Sequence, residues 1–139
     1  MRGNTVYLEA PERTQDLLNI KWTLRSAGYA IGSTWHEGEA ITSLSAFRDH
    51  WNARSVGQLQ SCDWLVVICG NGDRSMPELA MMAGFALARG MRVFWVGPPV
   101  KGLCDFLAIQ QFNTANDFEK QIVQQTYSGS IATDAQLAA

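Results

Sequence analysis

Six consecutive apolar residues, Trp64-Leu65-Val66-Val67-Ile68-Cys69, constrain this chain more than any other feature. Successive side chains of a β-strand point to opposite faces, so a strand with one wet face alternates apolar and polar residues. This run does not alternate. As a strand it is covered on both sides, the setting of a parallel sheet with helices above and below. Its length suits a strand and falls far short of the roughly 20 residues that span a bilayer. Asp63 opens the run, and the turn-rich loop Gly70-Asn71-Gly72-Asp73-Arg74 closes it.

Short β-type runs and helical segments alternate along the rest of the chain. Thr5-Val6-Tyr7-Leu8 is β-branched and aromatic, and Pro11 breaks it. Between Arg13 and Ala27 the apolar residues Leu17, Leu18, Ile20, Trp22 and Leu24 predict a helix, which Gly28 stops. Tyr29–Trp35 reads as a second strand, and His36-Glu37-Gly38-Glu39 as a loop. A helix is expected over Leu44–Gln60, weakened late by Gly57. After the apolar strand, Ser75–Arg89 is helical in pattern and Gly90 ends it. Met91–Val96 is a fourth strand, stopped by Gly97-Pro98-Pro99, and Ile109–Phe112 a short fifth. Asp117–Gln125 is the last predicted helix, with Thr114 or Asn116 as its N-cap. No internal repeat interrupts this order. It predicts an α/β fold, a flavodoxin-like three-layer sandwich around a mainly parallel five-stranded sheet. The domain is expected over residues 1–127, with residues 128–139 as a C-terminal tail offering little to bury.

Composition narrows the function. The 139 residues carry 11 basic and 13 acidic side chains, a net charge of −2. That is not the footprint of a polyanion binder, so no nucleic acid partner is expected. No membrane partner is expected either, because the longest apolar runs are too short to span one. The opening Met1-Arg2-Gly3-Asn4-Thr5 lacks a signal peptide's apolar core. Three cysteines without C-x-x-C spacing, Cys62, Cys69 and Cys104, suit reduced thiols. A cytoplasmic location is the resulting expectation. His36 and His50 make no zinc motif, and neither a metal nor a cofactor is expected.

Ligands of such sheets bind beyond the carboxyl ends of the strands, where the strand order reverses. The segments at that edge are Leu8–Pro11, Trp35–Gly38, Gly70–Ser75 and Gly97–Pro99. Ser75-Met76-Pro77-Glu78 opens the third helix, and a helix start carries unpaired N–H groups and partial positive charge. Glu78 is the acid best placed to face a ligand there. Ser75-x-x-Glu78 is equally a capping box that serves only the helix. Tyr7 reaches toward the edge with its hydroxyl, or is a core aromatic. Trp35 suits stacking on a planar base and His36 hydrogen bonding to one, or both merely anchor a loop. Asp73 and Ser75 lie in the loop after the central strand, and Gly97 in the rigid turn after the fourth. Asp63, at the opposite end, reads as structural.

In their order these segments resemble the nucleoside 2-deoxyribosyltransferase-like superfamily. The matching pieces are the first strand Val6-Tyr7-Leu8, Ser33-Thr34-Trp35, the Asp-headed strand Asp63–Cys69, Gly84-Phe85-Ala86-Leu87-Ala88-Arg89-Gly90, and the strand running into Val96-Gly97-Pro98. The likeness covers roughly residues 5–125. The resemblance implies cleavage of the bond between deoxyribose and a base, with a Glu attacking the anomeric carbon and an acidic partner serving the base. The family Glu commonly stands two residues before the first Gly of the Gly-x-Ala pattern, where this chain has Met82. Glu78 precedes it by one helical turn, about 6 Å along the axis. The family's second acid falls at Ser55, with Asp49 six residues further back. The chain also resembles Toll/interleukin-receptor domains, some of which hydrolyse NAD with a Glu followed by Leu, as in Glu78-Leu79, though without their Trp-Cys.

The expected function is therefore that of a nucleoside or nucleotide N-glycosidic bond transferase or hydrolase. Glu78 would be nucleophile, Tyr7 would orient it, and Trp35, His36, Asp73, Ser75, Met82 and Gly97 would line the ligand site. The alternatives are a nucleoside- or nucleotide-binding module of the same fold without the family acids, and an assembly protein with a vestigial pocket. Five tryptophans, with Met81, Met82 and Phe85 on one helix, further predict a homo-oligomer, a dimer.

Overall fold

The computed structural model describes residues 5–10, 14–33, 56–69, 76–100, 102, 104 and 109–129. Along them run β1 (Thr5–Glu9), α1 (Gln15–Ser26), β2 (Ala30–Ile31), α2 (Val56–Gln60), β3 (Trp64–Ile68), α3 (Met76–Ala88), β4 (Arg92–Val96), β5 (Ile109–Phe112) and α4 (Ala115–Gly129). The strands form one sheet in the order β2-β1-β3-β4-β5, and every pair is parallel. This is the flavodoxin-like order of a doubly wound sheet. As the apolar run predicts, β3 is central and all five of its residues are buried.

Two apolar layers account for that burial. Val6, Leu8, Trp64, Val66, Ile68, Phe94 and Val96 meet Leu17, Ile20 and Leu24 of α1 and Phe118 and Ile122 of α4. On the opposite face Tyr7, Leu65, Val67, Val93 and Trp95 meet Leu59 of α2 and Leu79, Met82, Ala83 and Ala86 of α3. β1, β3 and β4 thus send alternate side chains into different layers, and both faces of the sheet's centre are covered. The indole N–H of Trp95, fully buried, donates to the carbonyl of Pro98 at 2.9 Å.

The second strand is much shorter than the expected Tyr29–Trp35. Only Ala30 and Ile31 pair as strand with β1, and positions 34 and 35 lie outside the described residues. The cause is tertiary. The Gly32 N–H still donates to the Val6 carbonyl at 2.8 Å, but a Cβ on Gly32 would overlap Cys62 Sγ. One residue on, a side chain takes over from the ladder: Ser33 Oγ accepts from the Leu8 N–H at 3.0 Å. Of the helix expected over Leu44–Gln60, Val56–Gln60 is helical and residues 44–55 lie outside the described residues.

Helix ends follow their capping chemistry. Thr14 caps α1, its Oγ1 accepting from the Leu17 N–H at 3.3 Å. Gly28 follows with φ +97°, a left-handed conformation that costs glycine nothing. Thr114, not Asn116, caps α4 by accepting from the Asp117 N–H at 3.1 Å. That helix accordingly starts at Ala115 and continues past Tyr127 to Gly129.

At the amino edge of the sheet, Asp63 Oδ2 accepts from the Thr5 N–H at 3.3 Å, the structural role its position implies. Arg92 lies over the rings of Trp64 and Phe94, at 5.4 and 5.3 Å from their centroids. Among the described residues no helix is long and apolar enough to cross a membrane.

Candidate functional site

The strand order reverses between β1 and β3. From β1 the chain crosses through α1 on one face to β2, then through α2 on the other face to β3. The carboxyl ends of β1 and β3 therefore flank the crevice where doubly wound sheets hold their ligands. Register places Glu9 opposite Val67 at that edge.

Glu9 is the feature of this edge that sequence reasoning missed. It is 4% exposed, although it carries a carboxyl group. Its Oε1 accepts from the Ala10 N–H at 3.1 Å. Among the described residues no cation pairs with it. Burial pushes its pKa up from 4.5 to about 8, with the Ala10 N–H acting in the opposite direction. At neutral pH the side chain is thus mainly a neutral acid, able to donate a proton. The signal for it in the sequence is an acid inside the apolar run Val6–Ala10. On a strand with neighbours on both sides, such an acid has little access to water. At the end of a lone strand it reads instead as an ordinary solvent boundary.

Tyr7 lies two residues earlier, hence on the same face of β1 as Glu9. It is wholly buried in the layer shared by α2 and α3, beneath the edge rather than on it. Met82 lies in the same layer and is 1% exposed. The position where the resembled family carries its Glu is here a piece of packed core. Glu78 belongs to the first turn of α3, which follows β3 and so begins at the carboxyl edge. The side chain of Glu78, the whole of Trp35, His36, Asp73 and Ser75, and Asp49 and Ser55 lie outside the described residues.

Gly97 is accounted for by packing. Its φ is +129°, and an added Cβ would lie 2.8 Å from Cys69 Cβ and 2.9 Å from the Cys69 carbonyl oxygen. The close approach is held from both sides. The Cys69 N–H donates to Val96 O at 2.8 Å, and the Gly97 N–H to Phe112 O at 2.7 Å. Gln111 Nε2 donates to Gly97 O at 2.7 Å. The ends of β3, β4 and β5 are thereby tied into one rim.

The cysteines are free. Burial, with the nearby Cys104, pushes the Cys69 thiol up to about 12, and burial with Asp63 pushes Cys62 up to about 11. Both remain thiols at neutral pH, poor nucleophiles and poor metal ligands. Among the described residues no three His, Cys, Asp or Glu side chains converge as a metal site would require. Among the described residues Glu9 is the acid at the β1/β3 edge. No protein-family model matches the chain, and no curated protein matches it.

Proposed function

We propose that the carboxyl edge binds a nucleoside or nucleotide and that the chain transfers or hydrolyses its N-glycosidic bond. Glu78 is the nucleophile in this reading, Tyr7 supports its orientation from below, and Trp35 stacks on the base. The observation that carries the proposal is the pair of strands at the reversal of strand order, β1 and β3. A buried acid, Glu9, ends one of them, and the helix bearing Glu78 begins after the other, on the face to which Glu9 belongs. Glycosyl transfer through a covalent intermediate uses two acids in different roles. Three free thiols suit a reducing, cytoplasmic compartment.

A second reading is favoured by Met82. Its burial among Leu79, Ala83 and Ala86 removes the acid from the position the resemblance assigns to the nucleophile. The chain would then bind the nucleoside without cleaving it.

A panel of nucleosides and nucleotides, with base release followed, separates the two. The catalytic reading expects base release by the unaltered chain. It expects Glu78→Gln to abolish release while changing ligand affinity only a few-fold, because the amide keeps the size of the acid. Retained turnover together with a lowered melting temperature would reduce Glu78 to a helix cap. Binding without release by the unaltered chain would establish the binding module.

A further inference from the structure

We propose that Glu9 is the general acid of this site, giving its proton to the departing base as the glycosidic bond breaks. The inference rests on the N-glycosidic reading above and adds the group that reading lacks, since Ser55 stands where the resembled family has its second acid.

Position is the first support. Glu9 is the last residue of β1 and sits at the reversal of strand order, 4% exposed, with the Ala10 N–H as its hydrogen-bond donor among the described residues. Among the described residues the carboxyl serves only its neighbour's N–H, a costly way to end a strand, because an amide or hydroxyl would accept the same bond. Surroundings are the second. Alternation puts Glu9 on the face covered by α2 and α3. Among the described residues the titratable side chains of that layer are Tyr7, Cys62, Cys69 and Cys104. Cys62 follows α2, which itself has no titratable residue. His36, Glu37, Glu39, Asp73 and Arg74 lie outside the described residues. Desolvation keeps the Glu9 proton in place up to about pH 8.

The step balances. The C1′–N bond breaks as C1′ bonds to a carboxylate oxygen of Glu78, and the Glu9 proton passes to the base, which leaves neutral. Glu9 is then a carboxylate. In the second half water attacks C1′, its proton returns to Glu9, and Glu78 departs as carboxylate. A second base in place of water gives transfer by the same route.

The test compares two leaving groups on one sugar, using the full chain. 2′-Deoxyadenosine and 2′-deoxycytidine need a proton to release their bases, whereas 4-nitrophenyl 2′-deoxyriboside releases a stable anion. With the nucleosides, kcat is expected to fall on the alkaline side with a midpoint near the Glu9 value of about 8. With the nitrophenyl glycoside that limb should be absent. Glu9→Gln should slow nucleoside base release by roughly 10²–10⁴-fold, while the first-turnover release of 4-nitrophenolate, which precedes the step in which Glu9 takes a proton from water, should stay within a few-fold. Should the variant fold poorly, the two pH profiles of the unaltered chain decide alone. Glu9→Gln keeping nucleoside turnover, or slowing base release and first-turnover nitrophenolate release equally, overturns the acid role while leaving the N-glycosidic reading intact. If the unaltered chain cleaves neither substrate, that reading fails and the acid role with it.

Discussion

Gly97 and Glu9 are the two residues at the carboxyl edge whose chemistry has a measurable price. At Gly97 a methyl group meets the Cβ and carbonyl oxygen of Cys69 in a backbone conformation that L-residues rarely adopt. Gly97→Ala should lower stability by about 1–3 kcal/mol, read from urea unfolding. An unchanged midpoint would mean that the rim is not held as tightly as its hydrogen bonds imply. Glu9 makes stability depend on pH. Below pH 4.5 it is neutral in folded and unfolded chain alike. Between about 4.5 and about 8 the folded chain keeps a proton that the unfolded chain has released, so the Glu9 contribution is lost as pH rises through that window. The decline is on the order of a few kcal/mol, and Glu9→Gln should remove most of it. Parallel stability curves for the two proteins between pH 4 and pH 9 would contradict the burial of this acid.

At the level of elements, helix ends and strand lengths obey different rules. α1 and α4 each start at a threonine whose hydroxyl takes up an otherwise unpaired N–H. Thr14→Ala and Thr114→Ala should each cost roughly 1 kcal/mol, measured as a fall in the urea midpoint. Local chemistry of this kind is legible in the chain, as is β3, whose six-residue apolar run admits few other fates. The length of β2 is not legible, because Tyr29-Ala30-Ile31 is good strand sequence and what takes the next β1 donor, the Leu8 N–H, is the Ser33 hydroxyl, twenty-five residues away. The carboxyl edge divides in the same way. The order of the strands follows from their alternation with helices, and Gly97 stands in the turn after β4. Glu9 stands out only once β1 is known to have β2 on one side and β3 on the other.

For the molecule as a whole, the exposed apolar side chains bear on assembly. Trp22 on α1 is 73% exposed and Met81 on α3 is 53% exposed. A dimeric mass is expected in light scattering at micromolar concentration, and a monomeric mass would count against assembly. The sheet order also bears on how the chain comes to be folded. Thr5 meets Asp63 across 58 positions, so β1 is synthesised long before its inner neighbour. At about 5–20 residues per second the interval is roughly 3–12 s. Throughout it the Val-Tyr-Leu segment presents an open strand edge, the kind of surface that recruits other nascent chains. Glu9 terminates that segment and, before burial, ionises at its ordinary value of 4.5. The same carboxyl that is neutral in the finished protein is thus a negative gatekeeper against aggregation while the protein is being made.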